Sequence, residues 1–256
     1  MGYFTKTLRP TLPVASIIQS DKTDLPFSAQ DVMWDWFAFD LPQPACRLIN
    51  ATILVRGENG AQQTNRDLQL FFAKSDENGT APTSLGTGNA TASGYGYYNN
   101  LLAHMTVDIS EFAIGLDYMS MATGGMGGAD GLKTSREGIV LQGEAVTSAS
   151  EGYTRIYCGG IGGASNDWDF ATGVLANGAV DASASTDITV DGVDARKVFA
   201  PGDIICVHDS DTAIGTVASV PDATSILIES ANGVAIADDD EIVNVRPVTI
   251  ILHLEY

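Results

Sequence analysis

Cations, cysteine and histidine are scarce in this chain. Thirteen Lys and Arg stand against 32 Asp and Glu in 256 residues, a formal charge of −19. A phosphate backbone is held by a basic face, so no nucleic-acid partner is expected. No apolar run approaches the ~20 residues of a spanning helix, so no membrane partner is expected either. The three cysteines, Cys46, Cys158 and Cys206, are far apart and form no CxxC pair. They read as reduced thiols in apolar strands rather than as a metal or redox site. Histidine is limited to His104, His208 and His253. GxSxG, HExxH and GxxxxGK[ST] are missing. The run Gly159-Gly160-Ile161-Gly162-Gly163 does not complete GxGxxG, and no helical pattern follows it. With no nucleophile, base and orienting group to name, the chain reads as a non-enzyme with no catalytic, cofactor-binding or metal residues.

What is present is a folding composition. Apolar residues make up 45% and charged residues 18%, which excludes global disorder. Period-two alternation is the main pattern. The odd positions of Ile49–Val55 are apolar, as are Leu68, Leu70 and Phe72 in the next run. Both suit half-buried strands. Further strands are expected at Trp34–Phe39, Ala103–Ile109, Ile139–Val146, Tyr153–Cys158 and Phe170–Leu175. Leu101–Met119 also fits one helical face through Leu102, Met105, Ile109 and Phe112, although Thr106, Val107 and Ile109 favour strand. Long Gly-, Ser- and Asn-rich loops at 76–100 and 123–138 separate these runs. Tyr95, Tyr97 and Tyr98 in the first suit either an adaptable contact surface or a cap on the end of a sandwich.

The expected organisation has three parts. Residues 1–30 hold Pro10, Pro13 and Pro26 and little periodicity, and read as an extended N-terminal arm lying on another surface. Residues 31–176 with 245–256 read as a jelly-roll-like β-sandwich. Residues 177–244 carry 13 acids against two bases, Arg196 and Lys197, a formal −11 that leaves −8 for the rest. Short strands are expected there at Ile188–Val190, Lys197–Phe199, Ile204–Val207, Gly215–Val220, Ser225–Ile228 and Glu241–Val245. Pro201-Gly202 marks a type II turn and Asn232-Gly233 another. Many short strands with close turns suggest a small closed β-barrel. The alternating Val248–Tyr256 must pair with something already folded, which makes the barrel an insertion before the last strand of the sandwich.

Met1–Lys6 lacks the apolar stretch of a signal peptide, and Lys6 stands where a myristoylation pattern wants Ser or Thr. The sequons at Asn50, Asn78 and Asn89 are therefore expected to stay unmodified. Two acidic clusters, Asp209-Ser210-Asp211 and Asp238-Asp239-Asp240-Glu241, could supply oxygens to a hard cation. Neither follows the EF-hand pattern, and solvated turn carboxylates are the simpler reading. Asn166-Asp167-Trp168-Asp169 offers a sugar-stacking arrangement, or a tryptophan packed beside a strand.

Several short runs carry a resemblance. Leu70-Phe71-Phe72 leads to Ser84-Leu85-Gly86-Thr87-Gly88-Asn89-Ala90. A strand near His104–Ile109 and then Tyr153–Gly160 follow. Over about residues 45–175 this pattern is similar to a group of virion proteins from tailed phages, many of them marine. Phe199-Ala200-Pro201-Gly202-Asp203 and Ile214-Gly215-Thr216-Val217, within 185–245, resemble the small barrels of phage head and tail proteins. The resemblance implies a capsid decoration, or cement, protein bound outside the head. Its partners would be the major capsid protein and itself, as a homotrimer, in a virion assembled in the host cytoplasm. It implies no catalytic residues and no cofactor. The alternatives are a tail or baseplate component, or a glycan-binding module using Trp168 and the Tyr95–Tyr98 loop.

Overall fold

The structure is a computed structural model that describes residues 2–12, 27–63, 66–93, 99–107, 117–125, 138–144, 152–163, 167–208 and 212–256. The alternation seen in the sequence becomes an all-β fold of antiparallel sheets. The sandwich strands are β1 (Tyr3–Leu8), β2 (Val32–Asp40), β3 (Ala45–Arg56), β4 (Leu68–Ala73), β5 (Leu101–Val107), β6 (Met119–Gly125), β7 (Ile139–Gln142) and β8 (Arg155–Gly162). They are completed by the late strand β15 (Val248–Glu255). One sheet has the order β1-β15-β3-β6, with β7 also on β3; the other has the order β2-β8-β4-β5. Both β6 and β7 pair with β3, one after the other along its length, and together fill one strand position. The sheets then read first–last–third–sixth and second–seventh–fourth–fifth. This is the strand order of a jelly roll, two Greek keys folded into a sandwich.

Alternation sets the inner face. Leu48, Ala51, Ile53 and Val55 of β3 meet Val248, Ile250, Leu252 and Leu254 of β15, and across the sandwich Leu68, Leu70 and Phe72 of β4. Each Val, Leu, Ile or Phe among them contributes about 1.5–3 kcal/mol on full burial. The Gly159–Gly163 run is a packing device inside and just beyond β8. A Cβ at Gly160 would overlap the ring of Trp34 in the core, and one at Gly159 would meet Leu85 and Trp36 on the outer side. Leu85 lies in a loop folded over that outer side, fixed by Trp36 Nε1 donating to the Thr83 carbonyl at 2.8 Å.

Of the N-terminal segment expected as an arm, the described residues 2–12 and 27–30 belong to the sandwich itself, and residues 13–26 lie outside the described residues. β1 pairs with β15 over six residue pairs, Leu8 and Leu12 are core residues, and Phe27 bridges Trp168 edge-on to Phe170. The prolines conceal this because they lie between and beyond the paired segments. Met119–Gly125 is a strand that the sequence did not announce, since MSMATGG has only one apolar residue facing inward, Ala122. Of Leu101–Met119, residues 101–107 are strand; positions 108–116 lie outside the described residues.

The inserted lobe contains β9 (Val174–Ala176), β10 (Asp187–Gly192), the short helix α1 (Ala195–Val198), β11 (Ile204–Val207), β12 (Ala213–Asp222), β13 (Ser225–Ile228) and β14 (Ile242–Asn244). Its sheet has the order β14-β11-β12-β13-β10-β9 and its own core, which includes Ile188, Val190, Phe199, Val217 and Ile226. The expected closed barrel is not formed. The outermost strands touch through a single bridge, Leu175 to Glu241, so the sheet curls without closing. Val174–Ala176 already belongs to this sheet, which therefore begins three residues before Asn177. The expected strand at Lys197–Phe199 is the end of a helix. Asp194 caps it by accepting from Arg196 N, and Asp and Asn favour that position. Pro201-Gly202 does form the turn, with Gly202 at φ 84° and Asp203 N donating to the Ala200 carbonyl at 3.1 Å.

Candidate interaction surface

Charge is divided unevenly between the sheets. The five strands β1, β15, β3, β6 and β7 hold one acid, Glu255, and three bases, Lys6, Arg47 and Arg56. That is a formal +2 within a chain of −19. Residues that alternate with the core point outward from this sheet, and most are uncharged. Thr52 Oγ1 lies 3.1 Å from Thr123 Oγ1 and 3.1 Å from His253 Nε2, forming a polar ladder across three strands. Leu54, Met121 and Ile251 are half-buried on the same side. The register shift between His253 and Leu254 leaves Ile49 as the extra residue of a bulge, where it is exposed.

At one end of this sheet, Ala45, Cys46, Arg47, Val140, Glu255 and Tyr256 line a groove of about 420 Å³. Tyr3 is 69% exposed, Val140 59% and Tyr256 55%, a concentration of large apolar side chains in water. The Tyr256 ring lies across Gly2, where a Cβ would stand 2.5 Å from it, and packs tilted on Phe4 at 5.6 Å. Glu255 is held from two sides. Arg47 Nη1 is 3.3 Å from Oε2, and the Tyr3 phenol hydrogen-bonds the carboxylate, which holds that phenol above its ordinary pKa. The Arg47 side chain is 49% exposed and Glu255 only 12%. The groove thus presents guanidinium donors beside an aromatic ring and an aliphatic side chain. Cys46 adds no reactivity, because burial raises its thiol pKa.

The acidic lobe uses its carboxylates locally. In the cluster at 238–241, Asp238 Oδ1 accepts from Gly178 N at 2.7 Å and Asp240 Oδ2 from Ala237 N at 2.6 Å. Glu241 Oε1 accepts from Thr172 N at 2.7 Å and Gly173 N at 3.0 Å. These are turn and strand-end contacts, not a convergent oxygen cage, and no group of metal-ligating side chains stands out among the described residues. Asp209-Ser210-Asp211 lies outside the described residues, as does Tyr95–Tyr98. Asn232 is a buried bracket: its Oδ1 accepts from Ala184 N and Ser185 N, and its Nδ2 donates to the carbonyls of Asp181 and Val234.

Trp168 is no sugar platform. It is 1% exposed, stacks on Phe170 and donates Nε1 to the Asp67 carbonyl at 2.7 Å. The histidines are dispersed: His104 stacks on Phe71, His208 follows β11 and His253 sits in the threonine ladder.

One arrangement was not visible in the sequence. Asp203 of the inserted lobe is fully buried, and two arginines of the sandwich converge on it. Arg9 pairs with Oδ1, and Arg56 Nη2 lies 3.4 Å from Oδ2. Arg9 Nη1 also donates to the Gly202 carbonyl at 3.2 Å, and Ala200 N donates to Asp203 Oδ2 at 2.8 Å. Nearby, Leu12 N donates to the Val245 carbonyl and the Lys197 ammonium sits 5.0 Å from the Tyr118 ring centre. A separation of 194 residues between Arg9 and Asp203 leaves no local signal. No helix among the described residues is long and apolar enough to cross a membrane. Compared with known proteins, the chain matches no protein-family model and no curated protein.

Proposed function

We propose that this chain is a non-catalytic structural protein that coats a larger assembly, in the manner of the tailed-phage decoration proteins that its short runs resemble. The carrying observation is the division of charge. A sheet whose five strands hold a single acid, with exposed tyrosine and valine at its end, lies in the same molecule as an inserted lobe of formal −11. Burying unpaired carboxylates against another protein costs several kcal/mol each, in round terms, so the acidic lobe belongs in solvent and the acid-poor sandwich at contacts. The function is mechanical: area buried between neighbouring shell subunits resists expansion of the shell. The partners are the major shell protein and further copies of this chain.

A jelly roll supports this reading without requiring it, since the architecture serves capsid and lectin domains alike. The glycan-binding alternative loses one of its two supports with the burial of Trp168. The test is to add purified chain to undecorated particles and image them by electron microscopy. Density for the jelly roll on the outer surface, with the inserted lobe pointing away, is the expected result. Failure to bind, or density confined to the tail, overturns the decoration reading.

A further inference from the structure

We infer that residues 9–12 are a strap that latches the inserted lobe onto the sandwich, and that releasing it lets the lobe turn as a folded unit on the two short crossings that join the parts. The inference needs no partner and stands apart from the coating role.

The cores of the two parts are separate. The main buried cluster of the sandwich draws on residues from Leu8 to Phe170 and from Val248 to Leu254, and that of the lobe on residues from Val174 to Ile242. No buried apolar cluster among the described residues joins the two. The crossings are short. On the way in, Asn59 N of the sandwich donates to the Ala171 carbonyl at 2.8 Å, and the Gly173 carbonyl already accepts from Val193 N of the lobe at 2.9 Å. On the way out, Val245 N still donates to the Ile204 carbonyl of the lobe at 3.0 Å, and the Pro247 carbonyl already accepts from Arg56 N of the sandwich at 2.9 Å. Thr172 and Arg246 stand between these fixed points, and Gly173 has φ 60°. A few element-terminal residues of this kind suffice to absorb the backbone change of a hinge.

The contacts that seat the lobe are mostly polar, and the strap makes most of them. Arg9 pairs with Asp203 and donates Nη1 to the Gly202 carbonyl at 3.2 Å. Thr11 Oγ1 accepts from Arg246 Nε at 3.0 Å, and Leu12 N donates to the Val245 carbonyl at 2.8 Å. The Leu12 side chain anchors the strap in the sandwich core. Beyond the strap, Arg56 reaches the second oxygen of Asp203, and the turn at Gly60 rests on Val193 and Lys197. A buried ion group fixes geometry more than it adds net stability, because desolvation offsets the attraction. Parts that share no apolar core move relative to one another once such specific contacts are lost. With Arg9 gone, Asp203 would keep its charge in a dry site with one arginine at 3.4 Å, and turning the lobe outward returns that carboxylate to water. The strap is thus the element that biases a seated lobe against a released one.

The test is amide hydrogen exchange together with small-angle X-ray scattering on the full-length chain, wild type against Arg9→Gln. In the variant, the Leu12 amide is expected to exchange at least ~10-fold faster, as a contact opened by local release does. The longest dimension of the particle is expected to grow. The amides of β4 and β15 in the sandwich, and of β10 and β13 in the lobe, are expected to stay as slow as in wild type. If Arg9→Gln fails to fold, Asp203→Asn takes its place, since it leaves Arg9 and Arg56 without their counter-charge while keeping an acceptor for Ala200 N. Unchanged Leu12 exchange or unchanged scattering in the folded variant overturns the inference, because the lobe then stays seated without the strap. Loss of slow exchange in β10 and β13 also overturns it, because the lobe then unfolds instead of turning as a unit. Since no shell takes part, either failure is separable from failure to bind particles.

Discussion

Three residues carry more of this fold than their neighbours. Asp203 is a carboxylate with no access to water, shared by Arg9 and Arg56. Removing one partner of a buried pair strands the others, and Asp203→Ala should cost about 3 kcal/mol, the low end for such a break because both arginines keep some solvent access. Asp203→Asn retains an acceptor for Ala200 N and should cost less. Urea unfolding midpoints of the two variants decide this, and equal stability to wild type would remove the network from the account. Gly160 is the second. A methyl group there enters the space of the Trp34 ring, and overpacking of this kind costs about 1–3 kcal/mol, so Gly160→Ala should lower the thermal midpoint. The third is Cys158, which is fully buried in β8, and burial raises its thiol pKa far above the ordinary value near 9. The unfolded thiol ionises as pH passes about 8.5–9 while the folded one stays protonated, so the unfolded state binds fewer protons there. This contribution to stability is complete below that range and is lost as pH rises above it. Cys158→Ala should flatten the fall in stability between pH 8 and 10, measured by denaturant titration. In the native wild type, Cys158 should resist alkylation until the chain unfolds.

At the scale of elements, β1 is the decisive correction. It covers one edge of β15, and Phe4 and Leu8 add to the core. Deleting residues 1–8 should therefore lower the cooperative unfolding midpoint strongly; an unchanged midpoint in the truncated chain would show that β1 is dispensable. The sequence hid this strand because its inward positions are Phe4, Lys6 and Leu8, and a lysine interrupts the apolar period. β15 was legible for the opposite reason: Val248, Ile250, Leu252 and Leu254 alternate without a break, and all four are buried. β4 and β13 follow the same rule. β2 was found but its length was not. Two register shifts against β8 put Met33 and Trp34 in the main core and Val32 and Trp36 with the outer cluster, which breaks period two. β6 and α1 escaped detection because neither has enough buried side chains to impose a pattern. The candidate surface was legible only as a charge imbalance. Its groove depends on Arg47, Val140 and Tyr256, which lie far apart in sequence and meet through the pairings of β3 with β7 and β15.

For the molecule as a whole, the inserted lobe and the sandwich are joined at a neck and braced beside it. At the neck, Thr172 Oγ1 donates to the Ile242 carbonyl at 2.6 Å and Ala176 N to the Asp240 carbonyl at 2.8 Å, so the strands leading in and out are adjacent. The brace is the Arg9–Asp203–Arg56 group. This geometry suits a lobe that stands off the sandwich with its acids in solvent, where counterions screen them and like charge keeps coated particles apart. The cluster at 238–240 is the place to test that role without damaging the fold. Asp238 and Asp240 act as acceptors for backbone N–H groups, a task an asparagine Oδ1 can perform. Asp239 has φ 67°, a left-handed conformation that asparagine adopts readily. Changing all three to Asn takes the chain from −19 to −16 while keeping these contacts. The variant should unfold within a degree or two of wild type, since surface changes outside special features shift stability by about ±0.5 kcal/mol. It should also keep its oligomeric mass and its attachment to particles. The expected change is colloidal: coated particles should aggregate sooner at low ionic strength, where the Debye length reaches ~30 Å at 0.01 M, and should match wild type near 0.15 M. Dynamic light scattering across a salt series measures it. Loss of attachment in the folded variant would place the acidic lobe at the contact rather than in solvent, and would reverse the proposed orientation of the molecule.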